Sequence, residues 1–217
     1  MLMTPTEIEI KYDCLTRVTA EDVEAVPLGP FRLGERTDHD LHDILLDTPS
    51  RAFSERRVAL RLRFDGDRRI VTMKGPKAVH GNTVRREEYE ATLGPEAQSD
   101  SPSTWPEPFR SRITEWRAGE PLFPFLTVRN QRLSWPVTFD GLRVAEIVLD
   151  TGQIEAGGLT EPFHEIEIEM KEGMPEEVEM IAGLLLAALP LRHATVGKAE
   201  RGFALLARAQ REAAARE

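Results

Sequence analysis

Short runs in which charged and apolar residues alternate are the feature that most constrains the fold of this chain. Residues 7–11 read Glu-Ile-Glu-Ile-Lys, residues 60–63 read Leu-Arg-Leu-Arg, and residues 165–169 read Glu-Ile-Glu-Ile-Glu. Successive side chains of a β-strand point to opposite faces, so each run would place its charges on one face and its apolar residues on the other. The pattern predicts β-strands that each have one charged face.

Two more segments, residues 85–90 and 145–150, repeat this alternation. The residues that share one parity are Arg86, Glu88 and Glu90 in the first segment and Glu146, Val148 and Asp150 in the second. Spacing alone is typical of an antiparallel sheet with one solvated face. A solvated face usually mixes Thr, Ser, Lys and Gln, whereas these positions are almost all Glu, Asp, Arg and Lys. A closed sheet could instead turn its charged faces inward around a charged ligand, with helices covering the apolar faces.

Seven sequence blocks stand in one order along the chain: Glu7-x-Glu9-x-Lys11, Arg61-x-Arg63, Lys74 in Thr-Met-Lys-Gly, Arg86-x-Glu88-x-Glu90, Asp150-Thr-Gly, Glu165-x-Glu167-x-Glu169, and Lys198 in Gly-Lys-Ala-Glu-Arg-Gly-Phe. Together they resemble the CYTH superfamily, a group of triphosphate tunnel metalloenzymes that includes inorganic triphosphatases, thiamine triphosphatases and class IV adenylyl cyclases. Any single block is common by chance, but seven in order are specific. The resemblance implies an α+β fold: a closed antiparallel β-barrel of about eight strands that forms a charged tunnel, with helices packed outside.

If the strands close in this way, the barrel interior collects acids and bases in similar numbers. Burying so many ionised groups without partners would cost several kcal/mol each, so the interior must stay hydrated, form ion pairs or bind counterions. A polyanion with its metal ions would supply such counterions. The acids are Glu7, Glu9, Glu88, Glu90, Glu146, Asp150, Glu165, Glu167 and Glu169, and the bases are Lys11, Arg61, Arg63, Lys74, Arg86, Arg129, Arg132 and Lys198.

The mixture of residue types suits a chain of phosphoryl groups with a hard metal ion. Arg offers a bidentate fork and Lys a compact point charge, while carboxylates bind Mg²⁺ or Mn²⁺ through oxygen. Water would attack the terminal phosphorus, so no nucleophilic side chain is required. The resemblance implies these metal ligands: Glu7, Glu9, Glu88, Glu90, Asp150, Glu165, Glu167 and Glu169. It implies these substrate-binding residues: Lys11, Arg61, Arg63, Lys74, Arg86, Arg129, Arg132 and Lys198. The resemblance also implies catalytic roles for Glu7, Glu9, Lys11 and Lys74.

Two of these assignments stay open in the sequence. The family shows two functional acids in the later acidic strand, and Glu165 and Glu167 fit that spacing best, but Glu169 shares their face. Arg129 and Arg132 have opposite parity, so a regular strand would send only one of them inward, and Arg132 is closer to the family pattern. The five histidines show no metal-ligand spacing.

Chain length and net charge limit which other classes of function are possible. A chain of 217 residues suits a single domain, residues 1–217, because barrels of this size are routine. The net charge of −9 argues against nucleic-acid binding through a broad basic surface. The single cysteine, Cys14, excludes an internal disulfide. The longest apolar run, residues 181–190, is too short to cross a membrane, and the N-terminus lacks a signal-peptide pattern. We expect a cytoplasmic protein without a membrane or nucleic-acid partner, and the sequence does not indicate its oligomeric state.

Inorganic tripolyphosphate is the first substrate that the resemblance suggests, because the chain shows no added base-recognition element and this activity looks widespread among bacterial members. Thiamine triphosphatase and ATP-cyclizing adenylyl cyclase are the alternatives within the same fold. A non-catalytic polyphosphate-binding regulatory module is the alternative from another class. The helical domain that follows in longer family members is not expected here, since the chain ends shortly after Lys198.

Periodicity and turn signals also predict the elements of secondary structure. The predicted strands are residues 7–15, 38–47, 59–64, 69–74, 84–93, 126–135, 137–139, 142–149 and 163–170. The predicted helices are a short one that starts at about residue 19, then residues 51–57, 109–118, 176–189 and about 197–216.

Overall fold

The computed structural model describes residues 6–98, 101–194 and 196–215. The strands are β1 (Thr6–Cys14), β2 (Arg32–Leu33), β3 (Thr37–Asp47), β4 (Ala59–Asp65), β5 (Arg68–Lys74), β6 (Ala78–His80), β7 (Thr83–Thr92), β8 (Phe123–Phe139), β9 (Leu142–Ala156), β10 (Leu159–Met170) and β11 (Leu191–His193). The helices are α1 (Ala20–Glu24), α2 (Ala52–Glu55), α3 (Phe109–Arg117), α4 (Pro175–Ala188) and α5 (Lys198–Ala214). No helix within these ranges is long and apolar enough to cross a membrane.

Eight of the strands close into an antiparallel barrel in the order β1, β10, β9, β8, β3, β4, β5, β7 and back to β1. Strand β1 closes it, because Glu7 pairs with Arg86 of β7 while Lys11 pairs with Glu167 of β10. The short strands β2, β6 and β11 pair with β8, β7 and β1 outside this ring. The predicted closed barrel of about eight strands is therefore confirmed.

The apolar faces of the alternating strands form cores on the outside of the barrel. Ile10, Ile166 and Ile168 are almost fully buried in one cluster with Val178 and Ile181 of α4. A second cluster joins Leu60 and Leu62 of β4 to Phe109 and Ile113 of α3. Burial of each such side chain contributes about 1.5–3 kcal/mol, so these outer cores hold the wall of the barrel together. The charged positions of the same strands are left to face inward.

Helix α5 packs against one end of the barrel interior. Leu45, Val128, Ile154 and Phe163 belong to the inward-facing parity of their strands, and they form an apolar cluster with Leu205 of α5. The approach is close: a Cβ added to Gly202 of α5 would lie 2.2 Å from Leu126 Cδ2. The interior is thus charged along most of its length and apolar where α5 enters.

Strand β8 continues through Pro136, where the sequence had suggested two separate strands. On one edge of β8, β2 ends opposite Val137 and β3 begins opposite Ser134. The Pro136 carbonyl accepts a hydrogen bond from Gly34 N at 2.8 Å on this edge. The N–H and C=O of a strand residue point to the same side, so the missing N–H of proline faces the gap between β3 and β2. No ladder bond is lost, and the strand is not interrupted.

The Asp47-Thr48-Pro49 turn is a structural clamp for α2. The buried Asp47 carboxylate accepts hydrogen bonds from Thr48 N at 2.8 Å, Phe53 N at 3.0 Å and Ser54 N at 3.1 Å. The Ser54 hydroxyl donates to it as well. Phe53 N and Ser54 N lie in the first turn of α2, where backbone N–H groups have no partner within the helix. The turn therefore fixes α2 beside the barrel.

We expect Asp47→Asn to lower the free energy of unfolding by about 1–2 kcal/mol, because an amide provides one acceptor oxygen where the carboxylate provides two charged ones. Urea unfolding measures this loss. Asp67→Asn, in the exposed β4–β5 turn, is the matched control and should change stability little. Equal unfolding midpoints for the two variants would contradict the clamp.

Candidate active site in the barrel interior

A cavity of about 990 Å³ runs through the charged part of the barrel. The strand register brings most of the predicted site residues to its wall. Those that line it are Glu7, Glu9, Lys11, Arg61, Arg63, Lys74, Arg86, Glu88, Glu90, Arg132, Glu146, Glu167, Glu169 and Lys198. Asp150 and Glu165 have no exposed surface and pair with lining residues. Arg129 is the exception, since its side chain is exposed and takes no part in the lining.

The parity of β8 explains why the two arginines separate. Arg132 shares the inward parity of Val128, and both line the cavity. Arg129 has the opposite parity and lies on the outer face of the barrel. Its assignment to the substrate-binding residues is corrected for this reason, and Arg132 takes the inward position.

Three carboxylates, Glu7, Glu9 and Glu169, form what we call the first acidic trio. Each offers an oxygen, and the three oxygens lie within 4.8 Å of one another. Glu9 of β1 pairs directly with Glu169 of β10 across the sheet, and Glu7 lies two residues before Glu9 on the same face. The trio therefore follows from the β1–β10 register.

Two cations contact the Glu7 end of this trio. Lys74 Nζ donates to Glu7 Oε1 at 2.7 Å, and Arg86 bridges Glu7 and Glu9, the latter at 3.1 Å. Lys74 also pairs with Glu88 at 3.1 Å. Burial alone would raise the pKa of Glu7, but the charges of Lys74 and Arg86 outweigh it and hold that pKa well below its usual range.

Glu9 has less compensation than Glu7. Burial raises the pKa of Glu9, and the charges of Glu167 and Glu7 add to this effect, while Lys11 and Arg86 offset only part of it. A carboxylate that is 3% exposed and lies beside other acids is only partly compensated by the neighbouring cations. Oxygen ligands in such a setting fit Mg²⁺ or Mn²⁺, which prefer carboxylates. The first trio thus fits the expected metal on its own chemistry.

A second acidic trio consists of Asp150, Glu165 and Glu167, whose oxygens also lie within 4.8 Å of one another. All three are buried, and Glu165 pairs with Asp150 across β9 and β10. Lys198 Nζ, at the start of α5, donates to Asp150 at 2.8 Å, to Glu167 at 3.0 Å and to Glu165. Its ammonium group contacts all three acids at once.

Two further cations surround the second trio. Lys11 Nζ donates to Glu167 at 2.5 Å and approaches Glu165 at 3.4 Å. Arg132 makes a bidentate pair with Asp150 at 2.8 and 2.7 Å and also donates to Glu167 at 3.2 Å. Burial raises the pKa of Asp150, yet Arg132 and Lys198 outweigh it and hold that pKa well below its ordinary value. One oxygen, Glu165 Oε2, has no hydrogen-bond partner in the part of the chain described.

Steric crowding explains why the third residue of the Asp150-Thr-Gly motif is glycine. A Cβ at Gly152 would lie 2.0 Å from the Arg129 carbonyl oxygen and 2.8 Å from Phe163 Cζ. Only glycine lets β9 approach β8 and β10 this closely. The motif therefore combines a buried acid with the backbone contact that holds its strand in place.

The opposite side of the cavity is a basic wall centred on Arg61 and Arg63 of β4. Arg63 makes a bidentate pair with Asp43 at 2.7 and 2.8 Å, and Arg61 approaches the same carboxylate at 3.5 Å. Arg61 also donates to Thr72 at 2.9 Å, while its Nε has no partner among the described groups. Burial lowers the pKa of Arg61, and the neighbouring charge of Arg63 lowers it further. An anion would relieve this crowding of positive charge.

Asp43 is a charged residue of the cavity wall that the sequence analysis did not identify. It belongs to a predicted strand, but its inward-facing neighbour Leu45 is apolar, so no alternation of charge marks it. Lys171 was also missed, although it continues the parity of Glu169. Its Nζ donates to Glu169 at 2.7 Å and pairs with Glu146 at 3.1 Å. Extending the alternating run by one step would have identified Lys171.

A family model described as the CYTH domain matches residues 5–203. An inorganic triphosphatase of Haemophilus influenzae is 25% identical over 200 residues, which are 92% of this chain and 54% of that protein. The chain thus spans about half the length of this curated relative.

Two solved structures show the same fold. A Hippeastrum protein, described as a candidate adenylyl cyclase with a dominant triphosphatase activity, superposes with a TM-score of 0.66 at 23% identity. The match covers 92% of this chain and 94% of that one. A candidate adenylate cyclase of Bacillus halodurans gives a TM-score of 0.55 at 19% identity, with 91% of this chain and 98% of that one covered.

Proposed function

Since this chain belongs to the CYTH domain family, we propose that it is a metal-dependent triphosphatase whose substrate is inorganic tripolyphosphate. One observation carries the proposal: a single cavity has a basic wall on one side and, on the other, the first acidic trio together with Glu167 of the second trio. A polyphosphate needs cations along its length, and the metal that accompanies it needs carboxylates. Neither a simple anion site nor a simple metal site requires both.

The basic residues would bind the phosphoryl groups. Arg61 lines the cavity and only approaches Asp43, at 3.5 Å, so its guanidinium group can donate to a phosphate oxygen. Arg63 retains Nη1 after its bidentate pair with Asp43. Lys11 and Lys74 would place compact charges beside the oxygens on which negative charge grows as the terminal phosphoryl group leaves. These contacts position the substrate in the tunnel.

Glu7, Glu9 and Glu169 would hold Mg²⁺ or Mn²⁺. An ion held by these carboxylates would supply the positive charge that offsets the negative charge developing in phosphoryl transfer. No histidine or cysteine lines the cavity within the residues that the structure describes. Water would be the nucleophile, as is usual in metal-assisted phosphoryl transfer, and the residues of this chain would act by binding, orienting and neutralising the phosphate chain.

Phosphate release from tripolyphosphate, thiamine triphosphate and ATP, each with Mg²⁺, with Mn²⁺ and with chelator, tests the proposal. We expect tripolyphosphate to give the highest kcat/KM and the chelator to abolish turnover. Faster release from thiamine triphosphate would make this the substrate, and cyclic AMP from ATP would make the protein a cyclase. Tight binding of tripolyphosphate without turnover would identify a regulatory binding module. The expectation of a cytoplasmic protein that acts on a small molecule stays part of the proposal.

A further inference from the structure

Arg57, which lines the cavity just before β4, is a cation without an acidic partner among the described residues. Its side chain is exposed, and it makes no ion pair or side-chain hydrogen bond within the part of the chain described. The other lysines and arginines that line the cavity each pair with a carboxylate: Lys11, Arg61, Arg63, Lys74, Lys77, Arg86, Arg132, Lys171 and Lys198. The guanidinium group of Arg57 is therefore available to an anionic ligand.

The backbone at Arg57 favours glycine rather than arginine. Arg57 N donates to the Ser54 carbonyl and Val58 N donates to the Phe53 carbonyl, both at 2.9 Å, and this pair of bonds is the Schellman motif that ends α2. Arg57 is the left-handed residue of the motif, with φ at 57°. Glycine is the usual residue there, because a side chain strains this conformation. An arginine at this position costs stability, so the local structure does not explain its presence.

Arg57 lies beyond the phosphate-binding arginines, at the end of the cavity where α5 begins. Ala59 of β4 pairs with the last residue of β5, so the residues just before Ala59 and just after β5 lie at the same end of the barrel. Lys77, which follows β5, contacts Glu200 of α5 at 2.6 Å. The small side chain of Ala59 lines the cavity between Arg57 and Arg61. At a strand rise of about 3.3 Å per residue, four residues separate these two arginines by up to about 13 Å.

This spacing suits an anion that extends past the groups held by Arg61 and Arg63. The cavity, at about 990 Å³, is at the upper end of the range for small-molecule sites, so it has room for a longer ligand. A nucleoside triphosphate carries an uncharged nucleoside after its third phosphoryl group and would offer Arg57 no anion. A linear inorganic chain carries a further phosphoryl group there, and the guanidinium fork matches its oxygens.

From this geometry we propose that Arg57 is a specificity-determining residue that binds the fourth phosphoryl group of a linear inorganic polyphosphate, so that binding strengthens when the chain is lengthened from three groups to four. The proposal rests on the proposed function for the polyphosphate nature of the substrate. It extends the substrate class to longer chains and assigns the end of the cavity beside α5 to their additional phosphoryl groups.

Calorimetric titrations of tripolyphosphate and of tetrapolyphosphate, both with chelator, test the proposal without turnover. The parent should bind tetrapolyphosphate at least about tenfold more tightly than tripolyphosphate, the scale of one charge-assisted contact. Arg57→Gly should bind the two chains within about twofold of each other, while its affinity for tripolyphosphate should differ from that of the parent by less than about threefold. Because glycine suits the left-handed position, urea unfolding should find Arg57→Gly at least as stable as the parent.

Asp140→Gly is the matched control, since Asp140 is another left-handed residue, with φ at 49°, in the exposed β8–β9 turn away from the cavity lining. It should keep the preference of the parent for tetrapolyphosphate. Arg57→Asn removes the charge with a second residue that tolerates this backbone, and it should behave as Arg57→Gly does. A preference retained in Arg57→Gly or Arg57→Asn, or no preference in the parent, would overturn the proposal. Absence of tripolyphosphate hydrolysis with Mg²⁺ would instead count against the proposed function and would leave these metal-free affinities unaffected.

Discussion

Glu9→Gln is expected to lower the rate of tripolyphosphate hydrolysis with Mn²⁺ by about 100- to 1000-fold, equivalent to about 3–4 kcal/mol in the activation free energy. Glutamine keeps the shape of the side chain but removes the charge from the centre of the first acidic trio. A neutral amide is a poor ligand for a hard divalent ion. Steady-state phosphate release at saturating Mn²⁺ measures the effect.

The fold should survive this substitution. The pKa of Glu9 is raised, mainly by burial, so the charged form of this group costs the folded protein stability as pH rises above the ordinary carboxyl pKa. At neutral pH a permanently neutral glutamine removes that cost. The metal-free melting temperature should therefore stay equal or rise, while the increase caused by Mn²⁺ should shrink.

Glu87→Gln is the matched control for Glu9. Glu87 is also a glutamate of the barrel wall, but it faces outward, where it accepts a hydrogen bond from Tyr89 and lies near Arg112 of α3. Its replacement should leave the rate of hydrolysis within about twofold of the parent rate. The partly exposed ion pair of Glu87 with Arg112 contributes little to stability. If Glu9→Gln hydrolyses tripolyphosphate as fast as Glu87→Gln does, the first trio is not the metal site.

Arg63→Ala is expected to weaken binding of a non-hydrolysable triphosphate by about 1.5–3 kcal/mol, the scale of charge-assisted hydrogen bonds. This corresponds to a dissociation constant about 10- to 150-fold higher. Mn²⁺ affinity in the absence of phosphate should change far less, because the partner of Arg63 is Asp43, which belongs to neither acidic trio. Separate calorimetric titrations of the analogue and of Mn²⁺ measure the two effects.

Arg129→Ala is the control, since it removes an arginine from the outer face of the same barrel. It should bind the analogue with the parent affinity. Because Arg63→Ala leaves Asp43 buried with only a distant pair to Arg61, the double variant Asp43→Asn, Arg63→Gln guards against a loss of folding. Unchanged analogue affinity in both the single and the double variant would remove Arg63 from the site.

Local periodicity explains why much of the barrel could be predicted. Which side chains share a face depends only on the period of two along a strand, and this is a property of neighbouring residues. The alternation in β1, β4 and β10 therefore identified Glu7, Arg61 and Glu165 as members of the charged face. The alternation did not identify Asp43, because the next inward-facing residue of its strand is apolar. It also did not predict the position of α5, because an apolar helix face does not show which surface it will pack against.

The sequence alone thus determined the charged and apolar faces of the strands and, through the order of its motifs, the resemblance to a family. Only the tertiary structure decided how the charges group. The β1–β10 register places Glu169 opposite Glu9, while Glu165 and Glu167 join Asp150 around Lys198. Barrel closure decided that Arg132 faces inward and Arg129 outward. Register and closure are set by packing between segments far apart in the chain, and no local pattern encodes them.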